Sequence, residues 1–418
     1  MATTRLRSKR GRIIATTVVA LSFVILACLG NASAGQIIAG LPKPTLAEPS
    51  PQQALPTTKP TDGMHPAVLK VWPAALAVDV RPNVPVTVRA SSGTLAAVTL
   101  VDAAGAKVTG QAGPDGTWAN SELLHPGTSY RFTVAAIGPD GMATSTTWTF
   151  RTLTPPVTAT YSLTPNGGVV GVGMPVIIAF DTSVSTPAQR AEVEKRVKVV
   201  TVPAQPGAWG WLDDRQLMWR PEHYWISGTN VTVSTQLHGL QTGDSKWVTA
   251  DAQSRFRVGP SMVSTVDMHA HTLTVRRDGA VIRTFPVSTG RPGPLTETRS
   301  GVKVIIERDA TMVMDSATVG IPKGDPNYYK ITTEWNLRLT WTGEFIHSAP
   351  WSVSSQGRQN VSHGCTNMAP ADAEWMFDNS KVGDVVAFTG STRAFKPADG
   401  LGVWVYNYSD WAARSALA

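Results

Sequence analysis

One stretch of this sequence gathers the groups that covalent catalysis needs. It reads Phe345-Ile346-His347-Ser348-Ala349-Pro350-Trp351-Ser352, then, a short way downstream, Ser362-His363-Gly364-Cys365-Thr366-Asn367. Attack on a carbonyl carbon needs a thiolate, and a free thiol titrates only near pH ~8.5. A neighbouring imidazole can take that proton or hold the thiolate as an ion pair. His347 ends an aromatic and β-branched run, a rigid place for a base. Gly364 permits close backbone approach beside Cys365, which suits an oxyanion pocket of main-chain N–H groups. Asn367 offers an amide to orient its neighbours.

Taken singly, each residue has a plainer reading. A lone buried cysteine is usually an inert small hydrophobe, a lone histidine a satisfied core residue, and Ser362 and Asn367 turn formers. Their combination in one short stretch argues for chemistry. His347, His363 and Cys365 do not make a zinc site, which would want four ligands and usually several cysteines; no metal is expected. A papain-like protease would carry its cysteine near the mature N-terminus with the histidine far downstream, and here the order is reversed.

The elements that must position these groups follow from composition. A chain of 418 residues exceeds one hydrophobic core and suggests two to four domains. Its 36 Gly and 30 Pro imply many turns, and abundant Val and Thr favour strands. The net charge of +7 suits an anionic envelope polymer or lipid headgroup. No basic run interleaved with aromatics lies beyond the N-terminus, so nucleic acid is not an expected partner. The two cysteines are Cys28 and Cys365. Cys28 lies in an apolar N-terminal run, which leaves no disulfide framework.

That N-terminus carries Arg5, Arg7, Lys9, Arg10 and Arg12, then a mostly apolar run from Ile13 to Leu29, then Asn31-Ala32-Ser33-Ala34. Basic, apolar and small regions in this order form an export signal, with the basic flank held in the cytoplasm. Three fates remain open: cleavage after Ala34, lipidation at Cys28 in a loose lipobox, or retention as a membrane anchor. Residues 1–34 are thus a signal or anchor segment. Residues 35–63, rich in Pro, Thr, Ala and Gln, form a flexible spacer.

From 64 to 155 short alternating runs such as Val84–Val88, Tyr130–Val134 and Thr146–Phe150 are separated by turns, the pattern of a β-sandwich. A second similar unit spans 156–259, with Val176–Phe180 as a buried strand and a helix expected over Gln189–Val199. Gly228–Val233 echoes Gly127–Phe132 of the first unit. A third domain covers 260–395. It opens with a hairpin, His271–Arg277 and Ala280–Val287 around Asp278-Gly279. Further strands are expected at Val302–Glu307, Leu337–Trp341 and Val382–Phe388, and a helix at Ala369–Asn379. Residues 396–418 are a C-terminal extension bearing Trp404 and Trp411. The fold class is mainly β.

The Ser362-His363-Gly364-Cys365-Thr366-Asn367 stretch, with His347 upstream at matching spacing, resembles the signature of the YkuD-type L,D-transpeptidases. The His347–Ser352 segment is similar to actinobacterial members, and the resemblance covers nearly the whole mature chain, including two Ig-like modules. It implies that Cys365 is the acylated nucleophile and His347 the general base, oriented by the main-chain carbonyl of Ser348. Ser362, His363, Gly364 and Asn367 would shape the site, with backbone N–H groups holding the oxyanion. Tyr329 would be a lid tyrosine facing substrate and Met314 a cleft-lining residue. The implied reaction takes peptidoglycan stem peptides. The cysteine attacks the carbonyl of the third residue, expels D-Ala, and passes the acyl group to a neighbouring stem amine as a 3→3 cross-link. No cofactor is implied, and carbapenem-type β-lactams would acylate the same thiol. L,D-carboxypeptidase action, wall-protein attachment and a non-catalytic wall-binding scaffold are the competing outcomes. Where the family usually has a Thr-Pro pair before Gly301, this chain reads Thr296-Glu297-Thr298-Arg299-Ser300. That loop is expected to differ in shape, which leaves the case for the nucleophile unchanged.

Overall fold

The computed structural model describes residues 65–418, Asp244 excepted. The expectations for residues 1–34, for Cys28 and for the spacer at 35–63 lie outside the described residues. Among the described residues no helix is long and apolar enough to cross a membrane.

Strand periodicity builds the first sandwich. In Ser129–Ile137 every second side chain is buried, so Tyr130, Phe132, Val134 and Ala136 face one core. That strand pairs with Thr94–Asp102 and Ala143–Arg151. Opposite stands a sheet of Val68–Trp72, Thr87–Ser92, Thr117–Asn120 and Gly110–Ala112. The strand expected at Val84–Val88 begins only at Thr87, because Pro85 cannot donate to a ladder.

A second pair of four-stranded sheets follows, built from strands between Tyr161 and Val258. Its helix is Pro187–Glu194 rather than Gln189–Val199. Thr186 caps it with a capping box to Gln189 and Pro187 opens it. The β-branched run Val197–Val202 then takes the chain into a strand. The echo between the two units has a backbone basis. Gly127 and Gly228 both hold left-handed φ, +63° and +84°, just before the corresponding strands. The sandwiches meet where the His125 and His238 rings stack at 3.9 Å and His238 Nε2 lies 2.9 Å from the Leu123 carbonyl oxygen.

The third unit sets two sheets around a shared core. The first sheet runs Ala280–Pro286, Thr272–Arg277, Met262–Asp267, Val385–Thr389, Gly301–Val304. Asp278 and Gly279, at φ +48° and +86°, make the tight turn of its hairpin. The second sheet runs Glu307–Asp315, Lys330–Arg338, Phe345–Ser348, Thr366–Met368. Val266, Leu273, Ile305, Leu337, Ile346, Met368 and Phe388 fill the core, closed by Ala373 and Met376 of the helix Pro370–Asn379. The continuous strand expected over Val302–Glu307 is split. Ile305 and Ile306 leave the ladder between Val304 and Glu307, and the Ile305 N–H bonds the Asp384 carbonyl at 2.9 Å.

The C-terminal extension returns to the second sandwich. Trp411 is fully buried there, and its Nε1 donates to the Ala208 carbonyl at 3.1 Å. Arg414 Nε donates to the Trp211 carbonyl at 2.8 Å, and Trp404 Nε1 to the Gly173 carbonyl at 2.7 Å. Arg220 reaches the Tyr406 carbonyl at 3.1 Å and lies over the Trp404 ring. Main-chain bonds from Gly171 to Val382 and from Gly173 to Gly383, both 2.8 Å, complete the junction.

Asp384 sits at this junction. Its Oδ2 accepts the Lys381 N–H at 2.7 Å, while Oδ1 has no hydrogen-bond partner. Burial pushes its carboxyl up to about 7, although Lys381 and Arg308 oppose the rise. The folded form therefore keeps a proton that the unfolded chain releases near 3.8. The stability this gives is complete below that value and is lost as pH rises through about 7. From about pH 4 to 7 the native chain should lose melting temperature relative to Asp384→Asn, with no further relative loss above about 7. Equal pH slopes in the two proteins would refute the assignment.

Candidate active site

Phe345–Ser348 runs parallel to Thr366–Met368, with His347 opposite Asn367 and Ser348 opposite Met368. Parallel neighbours require a crossover, which residues 349–365 provide. Cys365 is the last residue before the second strand, so thiol and imidazole reach neighbouring strands despite their separation in sequence. Both line one cavity of about 590 Å³, together with Met314, Tyr329, Trp351, Ser362, His363 and Asn367.

His347 is buried, and its Nδ1 lies 2.8 Å from the Ser348 carbonyl oxygen. A carbonyl only accepts, so Nδ1 carries the proton and Nε2 is the basic nitrogen. Burial pushes the imidazole down to about 4, against the Ser348 hydrogen bond, which supports the protonated form. Burial likewise pushes the Cys365 thiol up to about 12. The main-chain hydrogen bond from Phe345 and the Lys303 charge oppose this rise, and the Glu344 carboxylate adds to it. Burial thus disfavours the charged form of both thiol and imidazole.

The loop before Cys365 is held from within. Ser362 Oγ donates to the Cys365 carbonyl at 2.6 Å and accepts the Gly364 N–H at 3.1 Å. That N–H is thus committed to the loop, which narrows the expected oxyanion donors to other main-chain groups around Cys365. Gly364 has φ +132°, a conformation that side-chain-bearing residues avoid. Asn367 Nδ2 donates to Ser352 Oγ at 3.1 Å, tying the second strand to the crossover. Tyr329 is half-buried with its ring 5.1 Å from that of His363, and burial raises its hydroxyl pKa. Tyr329 and His363 also wall a second cavity of about 380 Å³, which Arg299, Trp341, Gly343 and Arg393 line. Met314 packs with Phe345 and Cys365 in a small apolar cluster, so it both packs and lines.

The loop with the unusual Thr296–Ser300 sequence packs against the site. Thr298 Oγ1 donates to the Gly364 carbonyl at 2.8 Å and accepts the Gly290 N–H at 2.8 Å. Sequence reasoning missed Glu344, Lys303 and Arg299, a buried charged group behind the thiol. One signal was available: Lys303 interrupts the apolar run Val302–Ile306. Among the described residues no cluster of His, Cys, Asp and Glu could hold a metal ion.

Residues 77–241 match the bacterial Ig domain family, one match running across both sandwiches, and residues 261–387 match the L,D-transpeptidase catalytic domain family. The chain is 39% identical over 345 residues to L,D-transpeptidase 2 of Mycobacterium tuberculosis (strain CDC 1551 / Oshkosh), covering 82% of this chain and 83% of that protein. It is 34% identical over 354 residues to L,D-transpeptidase 5 of Mycobacterium tuberculosis (strain ATCC 25618 / H37Rv), covering 82% and 76%. A solved LD transpeptidase in complex with imipenem is 36% identical, covers 56% of this chain and 100% of its own, and superposes with a TM-score of 0.48.

Proposed function

This chain belongs to the L,D-transpeptidase family, and from that premise we propose that it cross-links peptidoglycan through an acyl-enzyme on Cys365. In the first half-reaction Sγ attacks the carbonyl carbon of the third stem residue while His347 Nε2 takes the thiol proton. Main-chain N–H groups around Cys365 receive the oxyanion, the Gly364 N–H being already engaged by Ser362. As the C–N bond breaks, the imidazolium returns the proton to the departing D-Ala amine and a thioester remains. In the second half, an acceptor amine gives a proton to Nε2 and attacks the thioester. The C–S bond breaks, the thiol regains its proton, and a 3→3 amide is formed.

The observation that carries this reading is the shared cavity of Cys365 and His347, with Nδ1 fixed on the Ser348 carbonyl so that Nε2 is left as the base. A carbapenem presents a strained carbonyl to the same thiol and is expected to acylate it. The basic-then-apolar N-terminus supports export, which puts the enzyme on the envelope side of the membrane where its substrate lies.

The test is intact-mass spectrometry of the full-length protein after incubation with a carbapenem, beside Cys365→Ala, and product analysis with tetrapeptide stems. One adduct on the native chain, none on the variant, and a cross-linked dimer are expected. An adduct on both proteins, or on neither, would remove Cys365 as nucleophile. A shortened stem with no dimer would replace the transpeptidase by a carboxypeptidase.

A further inference from the structure

The Cys365 thiol faces the main chain of one short segment. The Cys365 Sγ donates to the Gly343 carbonyl oxygen at 3.6 Å, and the Phe345 main chain acts to lower the thiol pKa. Between them, the side chain of Glu344 ends in a closed set of charges. Its Oε1 accepts the Arg299 main-chain N–H at 3.0 Å and Arg299 Nη1 at 2.9 Å, and its Oε2 accepts Lys303 Nζ at 2.6 Å. The Glu344 N–H donates to Thr340 Oγ1 at 2.8 Å. Lys303 is fully buried, with Nζ 3.8 Å from the Phe388 ring centroid. Arg299 continues the set to Asp399 at 3.2 Å.

Two features make this more than a structural bond. Buried ion pairs are often no more stabilising than apolar residues of the same volume, so stability alone is a weak reason to bury Lys303 and Glu344. The cluster also meets the nucleophile's surroundings on two sides. It carries the Gly343–Phe345 backbone, and Glu344 Cγ lies 3.6 Å from where a β-carbon on Gly364 would stand. Both Glu344 and Lys303 act on the thiol through their charges, in opposite senses.

We propose that Glu344, clamped by Lys303 and Arg299, is a positioning residue for acylation of Cys365: it fixes the Gly343–Phe345 main chain against Sγ and, with Lys303, sets the electrostatic potential at the sulfur. The proposal rests on Cys365 being the nucleophile. Glu344→Gln removes a negative charge and leaves two cations, which favours thiolate. Lys303→Met removes a cation and leaves the carboxylate, which disfavours it.

The experiment follows alkylation of Cys365 by iodoacetamide in the full-length protein across pH, read by mass spectrometry on the peptide that carries this cysteine. Thiolate displaces iodide in this reaction, so the rate at fixed pH reports the thiolate fraction. The rate should rise about threefold to tenfold in Glu344→Gln and fall by a similar factor in Lys303→Met, a tenfold change being one pKa unit. The double variant should return to within about threefold of native. Carbapenem acylation, which also needs the aligned backbone, should slow in both single variants. If either buried variant does not fold, Asp399→Asn tests the same sign at the rim of the cluster and should raise alkylation about twofold to threefold.

Changes of the same sign in all variants, in step with loss of melting temperature, would make the cluster a structural support and overturn the proposal. Unchanged alkylation in every folded variant would do the same. A native chain that takes up no carbapenem, yet whose alkylation responds with opposite signs, would overturn the nucleophile assignment while leaving the field of the cluster in place.

Discussion

Replacing His347 with glutamine should lower cross-linking turnover about 10²- to 10⁴-fold, the range general-base catalysis supplies, with little change in melting temperature. The glutamine amide can still donate to the Ser348 carbonyl, so the strand keeps its buried partner, but it offers no base. The native pH profile should carry the same message. Burial holds the imidazole down to about 4 and the thiol up to about 12. Below about 4, Nε2 is protonated and the base is lost; above it the neutral pair is competent. The acid limb of carbapenem acylation should therefore fall near pH 4, well below the ordinary histidine value of ~6.5. Stopped-flow acylation rates between pH 3.5 and 9 would decide. An acid limb near pH 6.5, or thiolate-like alkylation at pH 6, would mean that a thiolate–imidazolium pair exists at rest.

Trp411→Ala should destabilise the unit made of the second sandwich and the catalytic domain by about 3–5 kcal/mol, the usual range for a buried tryptophan. Trp411 is fully enclosed and donates to the Ala208 carbonyl. It rests on Gly210, where a β-carbon would meet the Trp411 ring at 2.8 Å. Gly210→Ala should thus expel the indole and reproduce much of the loss. Because both changes break one contact, the double variant should cost clearly less than the sum. Denaturant unfolding followed by tryptophan fluorescence gives the comparison. Strict additivity would show that the two residues do not depend on each other.

Much of this protein is legible in its sequence. Alternating runs gave the sandwich strands, and Asp278-Gly279 gave the hairpin, because both patterns are local. Cys365 and His347, the proposed nucleophile and base, stand out by residue type. Other features needed the tertiary fold. The parallel register of His347 with Asn367 depends on a crossover whose path no local pattern specifies. Lys303 could be noticed as a charge in an apolar run, yet its partner Glu344 lies 41 residues away. The Thr298 contact to Gly364 spans 66 residues. The helix lies at Pro187–Glu194 rather than Gln189–Val199 because the Thr186–Gln189 capping box starts it early and the β-branched Val197–Val202 run continues as strand.

The return of the C-terminal extension imposes an order on biosynthesis. A chain emerges from its N-terminus, and domains generally fold as units as they appear. The first sandwich draws its core from residues 80–150 and can close early. The second cannot finish in the same way, because part of its core is Trp411, together with Leu401 and Val403. The apolar surface around Met218, Trp219 and Trp225 stays open to water until the whole catalytic domain has been made. Completion of the second sandwich is thereby a late event, and a chain that stops before residue 411 leaves both it and its junction with the catalytic domain unsealed.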